Sequence, residues 1–269
     1  MIPLTAGVAT KISDEAWDIL DPLIIQAKGS WRGAKPQTSD RLFLEALIYH
    51  NDSGSKWRQL PAVFGDWLAI YNRFRRWVTA GVFDKVHAAL VGMVVPEAVR
   101  RLFFDSTVVR VHQHAAGAPK QAGGQNAQDL GRSRGGFSTK IHLTCTDANV
   151  PVAVLTGPGQ ESDVTRMEEM ADASLERLPT VDEAVGDKGY DADHARAAMI
   201  DRGMATVIPN KRNRLKPWPF EAVIYRLRNN VERCINKIKQ FRRVATRYDK
   251  LAATYRAFAV LACIFIMVR

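Results

Sequence analysis

Tyr225, Arg228, Glu232, Lys239 and Arg243 share one face of a helix at about 100° per residue, within the stretch YRLRNNVERCINKIKQFRR at 225–243. A second face of the same stretch carries Leu227, Val231, Cys234, Ile238 and Phe241, an apolar stripe that seeks a core. The lone carboxylate among cations is either an ion-pair partner on a solvated face or a metal ligand beside a row that grips phosphate. Two further acids bear on that choice. Asp105 stands inside Leu102–Val109, a run apolar on both sides, where a carboxylate needs a cation, a donor cluster or a metal. Asp187 directly follows a short strand over 182–186. Carboxylates from two neighbouring strands and one packed helix can converge on oxygen-seeking cations such as Mg²⁺ or Mn²⁺. Two such ions can activate an attacking hydroxyl and stabilise a leaving oxygen in phosphoryl transfer.

Something must position these residues, and the order of elements supplies it. Ser13 can cap a helix to about Ala27, and Ser39 another to about His50, with a Gly/Pro/basic turn region over 29–37 between them. Helices over 67–79 and 83–94 follow, the first interleaving Tyr71, Phe74 and Trp77 with Arg73, Arg75 and Arg76. These helices are compatible with a helix-turn-helix-like DNA reader and equally with a plain bundle whose arginines are solvated. After Pro96 come a strand over 102–109, a Gly/Gln/Ala-rich loop over 115–136, and a hairpin, 137–145 and 150–155, turning at Asp147-Ala148-Asn149. A helix over 163–178, the strand ending at Asp187, a helix to Arg202 and a strand over 205–208 complete the pattern. Asp163 and Asp191 read as helix caps. The fold class is α/β, a mixed sheet flanked by helices with an N-terminal all-helical domain, divided as 1–97 and 98–269.

Charge points to the partner. Net charge is +10, and the segment 211–247 alone holds twelve Lys or Arg against Glu221 and Glu232, so the rest of the chain is neutral. So local a basic block suits a polyanion, most simply nucleic acid. Residues 1–99, with eleven basic and ten acidic side chains, add nothing to it. Cys145, Cys234 and Cys263 show no metal-binding or redox spacing and suit a reducing cytoplasm. No secretory leader opens the chain, and the apolar run 257–268 is short of the roughly 20 residues a membrane span needs. It reads as a buried C-terminal helix, with no membrane partner.

Tyr225, Arg228, Glu232 and Lys239 also meet in full the pattern Y-x2-R-x3-E-x6-K. With WRQLPAVFGDW, FRRWVTAGVF, FFDSTVVRVHQHAAGAPK, GRSRGGFSTKIHL, GDKGYD and IPNKRNR, which together span nearly the whole chain, it resembles the DDE transposases of the bacterial insertion-sequence five family. That resemblance implies a ribonuclease-H-like catalytic domain in which Asp105, Asp187 and Glu232 hold two Mg²⁺ or Mn²⁺ ions. It implies that the protein binds terminal inverted repeats of double-stranded DNA, cleaves at element ends and joins the 3′-hydroxyl to a target site. Arg228 and Lys239 would contact phosphates, with Tyr225, Arg243, Arg132, Arg134, Lys188, Arg73 and Arg76 as further DNA contacts. Two ends must be handled together, so a homodimer on DNA is expected, in the bacterial cytoplasm and at the nucleoid. A ribonuclease-H-like nuclease that cuts without joining, or a catalytically silent DNA-binding regulator, would carry many of the same features. His112 and His114 either orient a water or an acid at the site or make structural hydrogen bonds.

Overall fold

A computed structural model of the protein describes residues 10–29, 36–118, 123, 127–133 and 135–269. The turn segment 30–35, most of the loop 119–126 and Arg134 lie outside the described residues.

The helical region begins as its capping residues dictate. Ser13 accepts from the Ala16 amide to start α1 (Asp14–Lys28), and Ser39 accepts from Leu42 to start α2 (Asp40–Ser53). Gly54, at φ 66°, ends α2 in the left-handed conformation that costs glycine little. Asp66 caps α3 (Trp67–Thr79) through the Leu68 and Ala69 amides, and α4 (Val82–Val94) follows.

The sheet is built on β1 (Arg101–Val111). On one side β1 pairs antiparallel with β3 (Gly136–Thr146), which pairs antiparallel with β4 (Pro151–Pro158); Asn149, at φ 59°, turns that hairpin where expected. On the other side β1 pairs in parallel with β5 (Glu183–Val185), and β5 with β6 (Ala205–Val207). The spatial order β4-β3-β1-β5-β6 is that of a ribonuclease-H-like sheet, with β1 central. Two short strands were not expected: β2 (Gly131–Ser133), inside the stretch read as loop, pairs with β3, and β7 (Thr246–Arg247) pairs with the end of β1.

Helices cover both faces, which explains why β1 is apolar on both. Leu102 and Phe104 face α5 (Met167–Leu175) and α6 (Asp193–Asp201) through Met167, Met170 and Met199. Phe103 turns the other way, into a cluster with Val231, Cys234 and Ile238 of α8 (Asn229–Lys239) and with α10 (Ala252–Met267). That second cluster also includes Leu20, Leu47, Phe74 and Leu90 of α1–α4, so one core runs through the helical region and the sheet. The change at 97 and 98 is a change of secondary structure, not a gap in packing. No single helix among the described residues is long and apolar enough to cross a membrane.

The stretch 225–243 is segmented, not one helix. It runs as α7 (Ala222–Tyr225), a 3-10 turn at Arg226–Arg228, α8, and α9 (Arg242–Ala245) after a break at Phe241. Phe241 adopts an extended backbone, and its ring packs into the core instead of continuing the helix.

Candidate active site

Three elements bring the predicted acids to one place. Asp105 lies midway along β1, and its side chain is 14% exposed. The β1–β5 register pairs Phe103 with Val185, so Asp187, two residues on, emerges on the neighbouring strand at the level of Asp105. Glu232 projects from the first turn of α8, whose Val231, Cys234 and Ile238 are buried against the sheet; its own side chain is 48% exposed.

Arg228 links two of the three acids. Its Nη2 donates to Asp105 Oδ2 at 3.2 Å and its Nη1 donates to Glu232 Oε1. The Ser106 amide holds Asp105 Oδ1 at 2.8 Å, and the Gly189 amide holds Asp187 Oδ1 at 2.7 Å. Burial pushes the Asp105 carboxyl up to about 6; Arg228 and the Ser106 amide oppose the rise, and the charges of Asp187 and Glu232 add to it. The three acids are therefore in electrostatic reach of one another. Among the described residues no three acid, His or Cys side chains are gathered tightly enough to cage an ion, and the Arg228 guanidinium stands between Asp105 and Glu232. The oxygen donor set nonetheless suits a hard divalent cation. Positive charge is already required at this point, and the guanidinium supplies it.

A fourth acid joins them from an unexpected direction. Asp163 caps no helix: its Oδ1 accepts from Lys140 Nζ at 2.7 Å and from the Ser106 hydroxyl. A Cβ on Gly189 would sit 2.8 Å from Asp187 Oδ1 and 3.2 Å from Asp163 Oδ2, so both carboxylates flank that glycine and a larger residue there would displace them. Lys140 and His142 are buried on the face of β3 that meets Ser106, and burial with the Lys140 charge takes the His142 ring down to about 4. The signal was present: a lysine and a histidine two residues apart on a buried strand demand partners. Asp191 likewise does not cap α6. It is buried against Arg196 and Arg214, which with the Lys211 amide hold its carboxyl down to about 2 despite burial.

The predicted DNA contacts divide by their surroundings. Lys239 reaches β1, donating to the Thr107 hydroxyl and at 3.5 Å to the Val108 carbonyl. Tyr225 is half-buried with its ring 5.3 Å from Phe220. Lys188 and Arg76 are exposed, as is Arg132, which lies 4.8 Å over the Phe137 ring. Arg73 and Arg243 are buried, engaged by Asp40 and Asp249 respectively. His112 and His114 stand beyond the end of β1, seven and nine positions past Asp105 in sequence, their rings 4.7 Å apart.

Comparison with known proteins identifies the family. Residues 99–267 match the model of a transposase DDE domain, and residues 12–87 match that of a putative transposase of the IS4/5 family. The chain is 30% identical over 134 residues to a putative transposase for insertion sequence element IS6501 of Brucella ovis, covering 49% of this chain and 100% of that one. It is 32% identical over 161 residues to a putative transposase for insertion sequence element IS402 of Burkholderia cepacia, covering 56% and 69%. An uncharacterized protein, y4sN, of Sinorhizobium fredii is 40% identical over 114 residues, covering 42% and 87%. No solved structure matches. With the DDE domain spanning most of its length, the chain belongs to the DDE transposases of the IS4/5 type.

Proposed function

We propose that the protein binds the terminal inverted repeats of an insertion sequence, cleaves at the element ends and joins the 3′-hydroxyl to target DNA, with Asp105, Asp187 and Glu232 as its catalytic carboxylates. The observation that carries this reading is the meeting of Asp105 from β1 and Glu232 from α8 on the Arg228 guanidinium, with Asp187 beyond the end of β5 close enough for its charge to raise the Asp105 carboxyl. Asp105, Asp187 and Glu232 would hold divalent cations, Mg²⁺ or Mn²⁺, which would supply Lewis acidity at the phosphate and lower the pKa of the attacking hydroxyl. Asp105, fixed by Ser106 and by the strand, is the rigid member, and the charges of both other acids reach it. Asp187 is held by its own following turn, and Glu232 is the more solvated arm, free to adjust as Arg228 turns from the acids to a phosphate. Lys239, set over Thr107 and Val108, meets the backbone of a strand laid along β1. No covalent protein–DNA intermediate is required. Two ends joined in one event call for a homodimer on the DNA.

The test is a gel assay on DNA carrying the flanking element ends, with Mg²⁺, Mn²⁺ or EDTA. Metal-dependent cleavage and joining, abolished in Asp105→Ala, Asp187→Ala and Glu232→Gln with end binding kept, is the expected outcome. Cleavage without joining would favour a nuclease, and binding without cleavage under every metal condition a regulator.

A further inference from the structure

A cleft of about 560 Å³ lies between the start of α3 and the segment that follows β7. Its walls are Trp57, Trp67, Tyr71 and Tyr248, with Arg75, Arg243 and Lys250 around them and Asp249 at the bottom. Trp57 and Tyr71 meet edge-on, their ring centroids 5.2 Å apart, and Trp57 and Trp67 are both only half-buried, so each keeps some ring surface accessible. Tyr248 is 37% exposed, and the His112 ring lies 5.1 Å from it, extending the rim through His114.

The floor carries polar atoms without partners. Arg243 and Asp249 are 5% and 7% exposed and pair through Nη2 and Oδ1 at 3.1 Å. Yet Arg243 Nε, Asp249 Oδ2 and Nε2 of His50, which stacks 3.8 Å from Trp57, have no hydrogen-bond partner among the described residues. Buried polar atoms are nearly always satisfied in a folded protein. Two of these orphans belong to Arg243 and Asp249, which line the cleft, and the third lies behind Trp57; a ligand in the cleft can bring the donors and acceptors that the lining pair lacks. Flat aromatic walls, an edge of donors and acceptors and a surrounding excess of cations together describe a nucleobase on a phosphodiester chain.

Position agrees with that ligand. β7 pairs with Arg110 and Val111, five and six residues along β1 from Asp105, and Tyr248 follows directly. At about 3.3 Å per residue the cleft lies on the order of 20 Å from Asp105, with Lys239 between them over Thr107. That is the length of roughly six base pairs. We propose that the cleft takes a nucleobase unstacked from the bound DNA within roughly six base pairs of the cut site, stacking it among Trp57, Trp67, Tyr71 and Tyr248 and binding its edge through Asp249 and Arg243. The proposal rests on the DNA-end reading above and adds to it a site in the helical region.

The test uses the full chain in EDTA, where no cleavage occurs, with end DNA carrying 5-iodouracil at single positions in turn. Irradiation should join one position near the end to a peptide containing Trp57, Trp67, Tyr71 or Tyr248. Crosslinks confined to other peptides, in complexes that shift normally on a gel, would overturn the cleft while leaving the DNA-end reading intact. Absence of any shift would overturn both. As a second arm, Tyr248→Ala and Trp67→Ala, each checked for an unchanged melting temperature, should raise Kd about tenfold on intact ends. On DNA made abasic at the crosslinked position they should raise it less than about twofold. An equal loss on both DNAs would show the rings to be structural only, and would sink the proposal.

Discussion

Asp105 illustrates how one carboxyl records its whole neighbourhood. Its value is raised from 3.8 to about 6, chiefly by burial. A raised folded value favours the protonated form, so the stability it contributes is complete below 3.8 and is lost as pH climbs through about 6. Two units correspond to about 3 kcal/mol. Urea unfolding in EDTA should therefore show wild type losing about 3 kcal/mol relative to Asp105→Asn between acid and neutral pH; a difference independent of pH would refute it. Arg228 is the cation that Asp105 and Glu232 share. In Arg228→Gln, Mg²⁺ should raise the melting temperature more than in wild type, with affinity increased about tenfold, because a competing charge of similar worth is gone. An unchanged Mg²⁺ response would make the guanidinium a bystander. Asp163 and Lys140 form a mostly buried pair, with side chains 29% and 10% exposed. Asp163→Ala should cost about 3 kcal/mol by leaving the ammonium uncompensated. Adding Lys140→Met should recover over half of it, as read in a double-mutant cycle.

At the scale of elements, α8 decides where Glu232 stands. Val231, Cys234 and Ile238 are fully buried, and the helix is anchored further by Asn230, which donates to the Asp147 carbonyl at 3.1 Å. Ile238→Ala should cost about 3 kcal/mol and slow end cleavage well below the melting temperature, since the helix that carries the acid is loosened. Leu20→Ala, a comparable cavity in α1, should destabilise without that slowing; equal slowing in both would show no special role for α8. The amphipathic pattern of α8 was plain in the sequence because its spacing is local. Its limits were not, since Phe241 leaves the helix to fill a core that only folding assembles. Caps show the same division. Ser13 and Ser39 cap as their sequences suggest, whereas Asp163 and Asp191 are drawn from cap positions to Lys140, Arg196 and Arg214, partners distant in the chain or brought close only by the fold.

Across the whole molecule, one core joins the helical region to the sheet. Phe258 of α10 stacks on Phe74 of α3 with ring centroids 4.7 Å apart and lies 5.0 Å from the Arg243 guanidinium, so the C-terminal helix packs against the N-terminal ones. Calorimetry should accordingly show a single transition whose calorimetric and van't Hoff enthalpies agree. Phe258→Ala should lower the stability of that one transition by about 4 kcal/mol. Two resolved transitions would mean that the regions fold apart.

Short-range pattern alone encodes the order of the five main strands and most helices, the buried character of β1, the basic block at 211–247, and the spacing Y-x2-R-x3-E-x6-K that carries the resemblance. These are legible because side-chain period and capping chemistry act within a few residues. The tertiary structure alone decided who meets whom. It turned Arg228 onto Asp105 and Glu232, buried Arg73 and Arg243 beside Asp40 and Asp249, and brought Asp163 to Asp187 across Gly189. Charged side chains removed from water take the partners that the fold supplies, and residues 123 positions apart, as Asp105 and Arg228 are, become neighbours only when the sheet and α8 have packed.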